Sequence, residues 1–250
     1  MLYRIRIYSI LPFFYSNDII VNMNISNELD ISAQTLADKA YVSIKELIMS
    51  YAFKPGEILS EIELARRLEM SRTPIHQALL HLQRDGFLES ASKTGWKVYS
   101  LSLTDIKEIF AVKIAVEKII MEEAAMQNKL QKKSLLALLE KMRKAASERD
   151  LDHWIELDHE LHDKINALAT NSRAVQLSET LSEQLYRFQS RYPPLDLNQR
   201  QEVHEKIVNC IISGDATGAQ TNHEKGLKNL MVEMEYVLQK IVFPLTNDLI

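Results

Sequence analysis

Backbone breakers limit the folds open to this chain more than any other feature. Tight turns draw on glycine for positive φ and on proline for a fixed φ. The 250 residues contain only 6 Gly and 6 Pro, under half the roughly 12% combined share of average proteins. Such a chain is mainly α, with few tight hairpins. The breakers also fall at informative places. Pro55-Gly56, Pro74, Gly86 and Gly95 punctuate the first hundred residues, and Pro193-Pro194 and Gly214 mark corners further on. One or two domains are expected at this length, each able to bury its own core. A single cysteine, Cys210, excludes an intramolecular disulfide framework and fits a reducing compartment. No run of about 18 apolar residues occurs, so the chain is expected to be cytoplasmic with no membrane partner.

The net charge of −4 argues at first against a nucleic-acid partner, but its distribution matters more. Residues 35–100 carry 9 Lys/Arg against 8 Asp/Glu, whereas residues 101–250 carry 19 against 23. A DNA-binding head on an acidic body is therefore permitted. Residues 1–34 read as an extension or arm. Met1 to Val21 has a basic start and an apolar run like a secretory signal, but Ser9 and Pro12 interrupt it and no small-residue cleavage site follows. Met23 offers an alternative start, which makes residues 1–22 an upstream extension or a loosely ordered arm.

From Thr35 the apolar spacing becomes helical, with Leu36, Ala40, Ile44, Leu47 and Ile48 on one face, until Pro55-Gly56 stops the helix after Phe53. A second helix is expected over Glu61 to Leu68, with Ile62, Ala65 and Leu68 inward and Arg66 and Arg67 outside. After a short connector, Ser71 caps a third helix over Thr73 to Asp85, Pro74 sits harmlessly in its first turn, and Gly86 ends it. Its inward residues are Ile75, Ala78, Leu79 and Leu82. Phe87-Leu88-Glu89 and Trp96-Lys97-Val98-Tyr99 read as two strands of a wing around Ser90–Gly95. Two helices joined by a tight turn form a DNA-reading unit whose second helix enters the major groove. Arg72 at its start can fork onto guanine or phosphate, Ser71 and Thr73 can donate to phosphates, and Lys93, Thr94 and Gly95 lie on the wing.

The run Leu64-Ala65-Arg66-Arg67-Leu68-Glu69-Met70-Ser71-Arg72-Thr73-Pro74-Ile75-His76-Gln77-Ala78-Leu79, with Asp85-Gly86-Phe87-Leu88 after it, closely resembles the winged helix-turn-helix head of the GntR family of bacterial regulators. The resemblance covers residues 35–100 and implies operator contacts from Ser71, Arg72, Thr73 and Gly95; the residue pattern adds Arg66, His76, Lys93 and Thr94 as candidates. One departure stands out: the family usually has Arg where this chain has His76. Histidine lacks the permanent charge and fork of arginine, which implies an altered base preference.

Residues 101–250 read as an all-helical antiparallel bundle. Thr104 caps a long helix reaching Gln127, and further helices are expected at Ser134–Ser147, Leu151–Thr170, Ser172–Arg191, Asn198–Ser213 and Asp215–Lys240. Asp158 and His162, four residues apart, share an inward face that Ile165 and Ala169 extend. His204 shares a face with Ile207, Val208 and Ile211, and His223 lies on the last helix. Three imidazoles and a carboxylate suit Zn, Mn, Ni or Fe, although each alone reads equally as a satisfied core or surface group. This half is similar to the FCD effector domain of one GntR branch, whose metal-binding members carry Asp-x-x-x-His and two later His. The resemblance implies a divalent transition metal held by Asp158, His162, His204 and His223. It also implies a small carboxylate effector near Lys113 and Asn171, a homodimer and double-stranded operator DNA. Lys113 stands where that family typically has Arg, which removes bidentate geometry from the carboxylate contact. The expected function is a DNA-binding transcriptional regulator modulated by a metabolite, not an enzyme. The alternative is a metal-dependent hydrolase or isomerase carrying a DNA-binding head, with Glu160 or Glu224 as general base.

Overall fold

The structure is a computed structural model and describes residues 35–91, 95–189 and 196–239. The expectations placed on residues 1–34, on Lys93 and Thr94, and on Pro193-Pro194 lie outside these residues. The chain divides between Ser100 and Leu101 into two compact units, the first a winged helix-turn-helix and the second a helical bundle.

In the first unit, α1 (Leu36–Met49) opens on a capping box: Thr35 accepts from the Asp38 N–H, and Asp38 accepts from the Thr35 N–H at 3.0 Å. Ala40, Ile44 and Ile48 are its buried face, while Leu36 is exposed. The helix ends well before Pro55-Gly56. Tyr51 takes φ 58°, and the Phe53 N–H folds back onto the Leu47 carbonyl at 2.9 Å, which carries the Phe53 ring into the core. In α2 (Glu61–Arg67) the inward residue is Leu64, and Ile62 is exposed, contrary to the periodic expectation. Two turns of helix are too few for periodicity to fix a face. In α3 (Arg72–Arg84) Pro74, Ile75, Ala78, Leu79 and Leu82 are buried, and Gly86 follows at φ 78°.

The sheet has three strands where two were expected. β1 (Ile58–Leu59), β2 (Leu88–Ala91) and β3 (Gly95–Val98) run antiparallel in the order β1-β3-β2, with Leu59 opposite Trp96 and Leu88 opposite Val98. A two-residue strand carries no readable alternation. Gly95 admits it: a Cβ there would come 3.0 Å from Ile58 Cγ2.

The second unit comprises α4 (Leu103–Met126), α5 (Lys129–Glu148), α6 (Leu151–Asn166), α7 (Ser172–Gln189), α8 (Leu197–Ser213) and α9 (Ala216–Val237). Ser102, rather than Thr104, caps α4, in a reciprocal box with Asp105. α4 packs against α6, α7, α8 and α9, and α5 packs against α6 and α8. Gly214 at φ 81° turns the chain from α8 into α9. None of the described helices is long and apolar enough to cross a membrane.

Trp154 of α6 is wholly buried, and its indole N–H donates to Gln201 Oε1 of α8 at 2.9 Å. Replacing it by alanine leaves a cavity and strips Gln201 of a donor. Trp154→Ala should therefore cost about 3–5 kcal/mol in urea unfolding. A loss under about 1 kcal/mol would show that this core does not anchor α6 to α8.

Candidate metal centre and nucleic-acid face

Helical spacing and the fold around it bring three of the four expected ligands together. Asp158 and His162 rise from adjacent turns of α6, and His204 faces them from α8. One donor atom from each lies within 4.8 Å of the other two. His204 Nε2 stands 2.8 Å from Asp158 Oδ1, and His162 Nε2 stands 3.7 Å from the same oxygen.

The protonation of His204 makes this arrangement informative. Its Nδ1 lies 2.7 Å from the Arg200 carbonyl, which can only accept, so Nδ1 carries a hydrogen. In the neutral ring Nε2 is then a lone pair facing the lone pairs of Asp158 at close range. Asp158 Oδ1 is buried and has no aligned hydrogen-bond donor. Two acceptors at that separation need a cation between them, either a proton on His204 or a metal ion.

The titration behaviour follows. Burial opposes ionisation of Asp158, but the His204 and His162 imidazoles hold its carboxyl well below the usual carboxylate range. Burial likewise opposes the charge on His204, but Asp158 prevails and raises its pKa. His162 is pushed down to about 4, by burial first and then by the neighbouring His204 and His223 rings, despite the pull of Asp158. It is therefore neutral and available as a ligand near pH 7. A carboxylate and neutral imidazoles on rigid helices, one of them oriented by a backbone carbonyl, fit a divalent transition metal.

The fourth expected ligand is close but engaged elsewhere. The His223 ring centroid lies 6.4 Å from that of His162, yet its Nε2 is 2.6 Å from Glu117 Oε2. Glu117, to which the sequence reading gave no role, organises a buried network. It pairs with Lys113 one turn earlier on α4 and accepts from Ser178 of α7, while Lys113 also donates to Ser182 Oγ at 2.5 Å. Burial resists its charge, but Lys113 and His223 hold its carboxyl far below the normal range. Lys113 is buried with its charge matched by Glu117. Asn171 accepts from the Ala174 N–H at the start of α7, and its own N–H donates to Glu123. Of the two glutamates considered as bases, Glu160 pairs with Lys164, and Glu224 with Lys118 and Lys228. Hydrogen bonds from those two lysines hold Glu224 at about 2, which makes it a weak proton acceptor.

On the first unit, Ser71, Arg72, Thr73 and His76 are all exposed at the start of α3, and Arg66 is exposed on α2. Gly95 opens β3. A residue absent from the expectations ties these together. Glu61 Oε2 is 3.3 Å from Arg72 Nη2, and its Oε1 is 2.7 Å from His76 Nδ1 and accepts from Trp96 Nε1 at 3.1 Å.

Comparison with known proteins agrees with both halves. The family model of bacterial regulatory proteins, gntR family, matches residues 36–98, and that of the FCD domain matches residues 108–224. An HTH-type transcriptional regulator from the TAR-I ttuE-ttuC' intergenic region of Agrobacterium vitis is 37% identical over 143 residues, covering 56% of this chain and 84% of that protein. The HTH-type transcriptional repressor RspR of Escherichia coli is 26% identical over 148 residues, covering 59% of this chain and 64% of its own. The solved structure of E. coli McbR/YncC superposes with a TM-score of 0.65 at 20% identity, covering 80% of this chain and 97% of that one.

Because His204 holds a proton more tightly than an ordinary imidazole, metal entry must displace it. Calorimetric titration with Zn²⁺ in buffers of different ionisation enthalpy should show proton release near pH 7, with affinity falling as the pH is lowered. Affinity that does not change with pH would contradict a ligand role for His204.

Proposed function

Since this chain belongs to the gntR family of bacterial regulatory proteins and carries an FCD domain, we propose that it is a transcription factor whose grip on operator DNA is set by a divalent transition metal and a small carboxylate in its helical bundle. The observation that carries this reading is the convergence of one donor atom each from Asp158, His162 and His204 within 4.8 Å of one another. Asp158, His162 and His204 would hold the ion, and His223 would join them on leaving Glu117. Zn, Mn, Ni and Fe all suit this donor set. When bound, the ion supplies a Lewis-acidic positive charge to the middle of the bundle.

Charge balance supports an anionic effector. With His204 protonated, the charges of Asp158, Glu117, Lys113 and His204 cancel. Exchange of that proton for a divalent ion would leave one positive charge, which a monoanionic group neutralises. Lys113 would meet such a group only by sharing it with Glu117, and Asn171 would offer its amide nitrogen. In the head, α3 would enter the major groove with Arg72, His76, Ser71 and Thr73 forward, Arg66 toward the backbone and Gly95, Lys93 and Thr94 on the wing. A homodimer would set two such helices on half-sites roughly 34 Å apart.

Elemental analysis of the purified chain, followed by thermal melts with dicarboxylic and hydroxy acids, tests the reading. Metal should co-purify with the wild type and be largely lost from His204→Ala. An acid at 100-fold over its Kd should raise stability by about 2.7 kcal/mol, roughly 5–10 °C, in the metal-loaded protein alone. The same acid should change retention of DNA. Equal shifts in metal-loaded and chelated protein, or negligible metal in both variants, would contradict it.

A further inference from the structure

The contacts of Glu61 fix which hydrogen-bonding face His76 turns outward. Glu61 is held ionised, chiefly by its bond with His76 and also by Trp96 and Arg72, against a smaller cost of burial. An ionised carboxylate has no hydrogen to give. The hydrogen in its 2.7 Å contact with His76 Nδ1 therefore belongs to the imidazole. Trp96 packs edge-to-face on the same ring, with centroids 5.9 Å apart, which sets the ring plane. Half of the His76 side chain remains open to solvent, on the first turns of α3. With Nδ1 protonated, the neutral ring presents Nε2 as a lone pair.

From this geometry we infer that Glu61 makes His76 an acceptor-type reader of DNA, selecting a base that offers an amino group in the major groove, adenine N6 or cytosine N4. The inference rests on the placement of α3 in the major groove proposed above. An arginine at this position would do the opposite. It has only donors, and its preferred partner is the paired O6 and N7 acceptors of guanine. A histidine bonded to carboxylate through Nδ1 inverts that polarity, since the guanine edge offers its Nε2 nothing to accept. Glu61 reaches Arg72 as well, so a single carboxylate from α2 orients two reading side chains and ties both to β3 through Trp96. Glu61 is thus a positioning residue, and His76 the specificity-determining one.

Selection from a duplex library with a randomised core, using the full chain at pH 8, tests this. His76→Arg should convert one motif position and its two-fold mate to guanine, leaving the rest of the motif in place. On that same strand the wild type should prefer adenine or cytosine over guanine and thymine by about threefold to tenfold, the worth of one neutral hydrogen bond. Glu61→Gln should flatten that position, because its amide can donate to Nδ1 and so release the other tautomer. A wild-type preference for guanine or thymine there, or a motif unmoved by His76→Arg, would overturn the inference. A preference for adenine or cytosine that survives in a folded Glu61→Gln protein would overturn the part assigned to Glu61. Should that variant melt early, the His76→Arg comparison decides the matter alone. No enriched motif in the wild type would overturn both the placement of α3 and the role of His76, whereas the other failures leave the placement standing.

Discussion

Two acceptors cannot be pressed together in a protein core unless something positive lies between them, and Asp158 Oδ1 and His204 Nε2 are held 2.8 Å apart. The helices enforce the approach. Asp158 is fixed on α6 beside the buried Trp154, whose ring packs edge-to-face on His204, and the Arg200 carbonyl of α8 fixes the imidazole hydrogen on the far side. Burial raises the cost of any uncompensated charge. The cation, whether proton or metal, is therefore part of the structural logic of the bundle. That links protonation, metal occupancy and stability at one point.

Around this pair sits a second buried polar system centred on Glu117, drawing on α4, α7 and α9 through Lys113, Ser178 and His223. His223 belongs to both systems. Its ring neighbours His162, while its Nε2 is taken by Glu117. A ligand that changes the partner of His223 would change the packing requirements of three helices at once. A small event in the core could thereby reach the rest of the bundle, and the coupling would act in both directions.

What the sequence made legible was what local spacing determines. Asp158 and His162 are one helical turn apart, so their shared face follows from helix geometry, and the capping and breaking signals around Ser71, Pro74, Gly86 and Gly214 place the helix ends. The chemistry missed was non-local. Glu61 meets Trp96 across 35 residues, and Glu117 meets His223 across 106. Glu61 has no local mark that distinguishes it from a solvated surface residue, and although Lys113 stands one turn before Glu117, nothing in the sequence sets His223 against it. The two-residue β1 and the outward Ile62 were hidden for a related reason: segments this short take their faces from what they pack against. The ligand role of Lys113 rested on resemblance, and the structure adds its partner, a buried carboxylate one turn away.

X-ray absorption at the metal edge of the loaded protein reports the donor atoms themselves. Imidazole scattering from at least two histidines, together with a carboxylate oxygen, is expected at about 2.0–2.2 Å. One imidazole shell should be lost in His204→Ala. A spectrum of oxygen donors without imidazole, unchanged by that substitution, would contradict a metal centre built on Asp158 and His204.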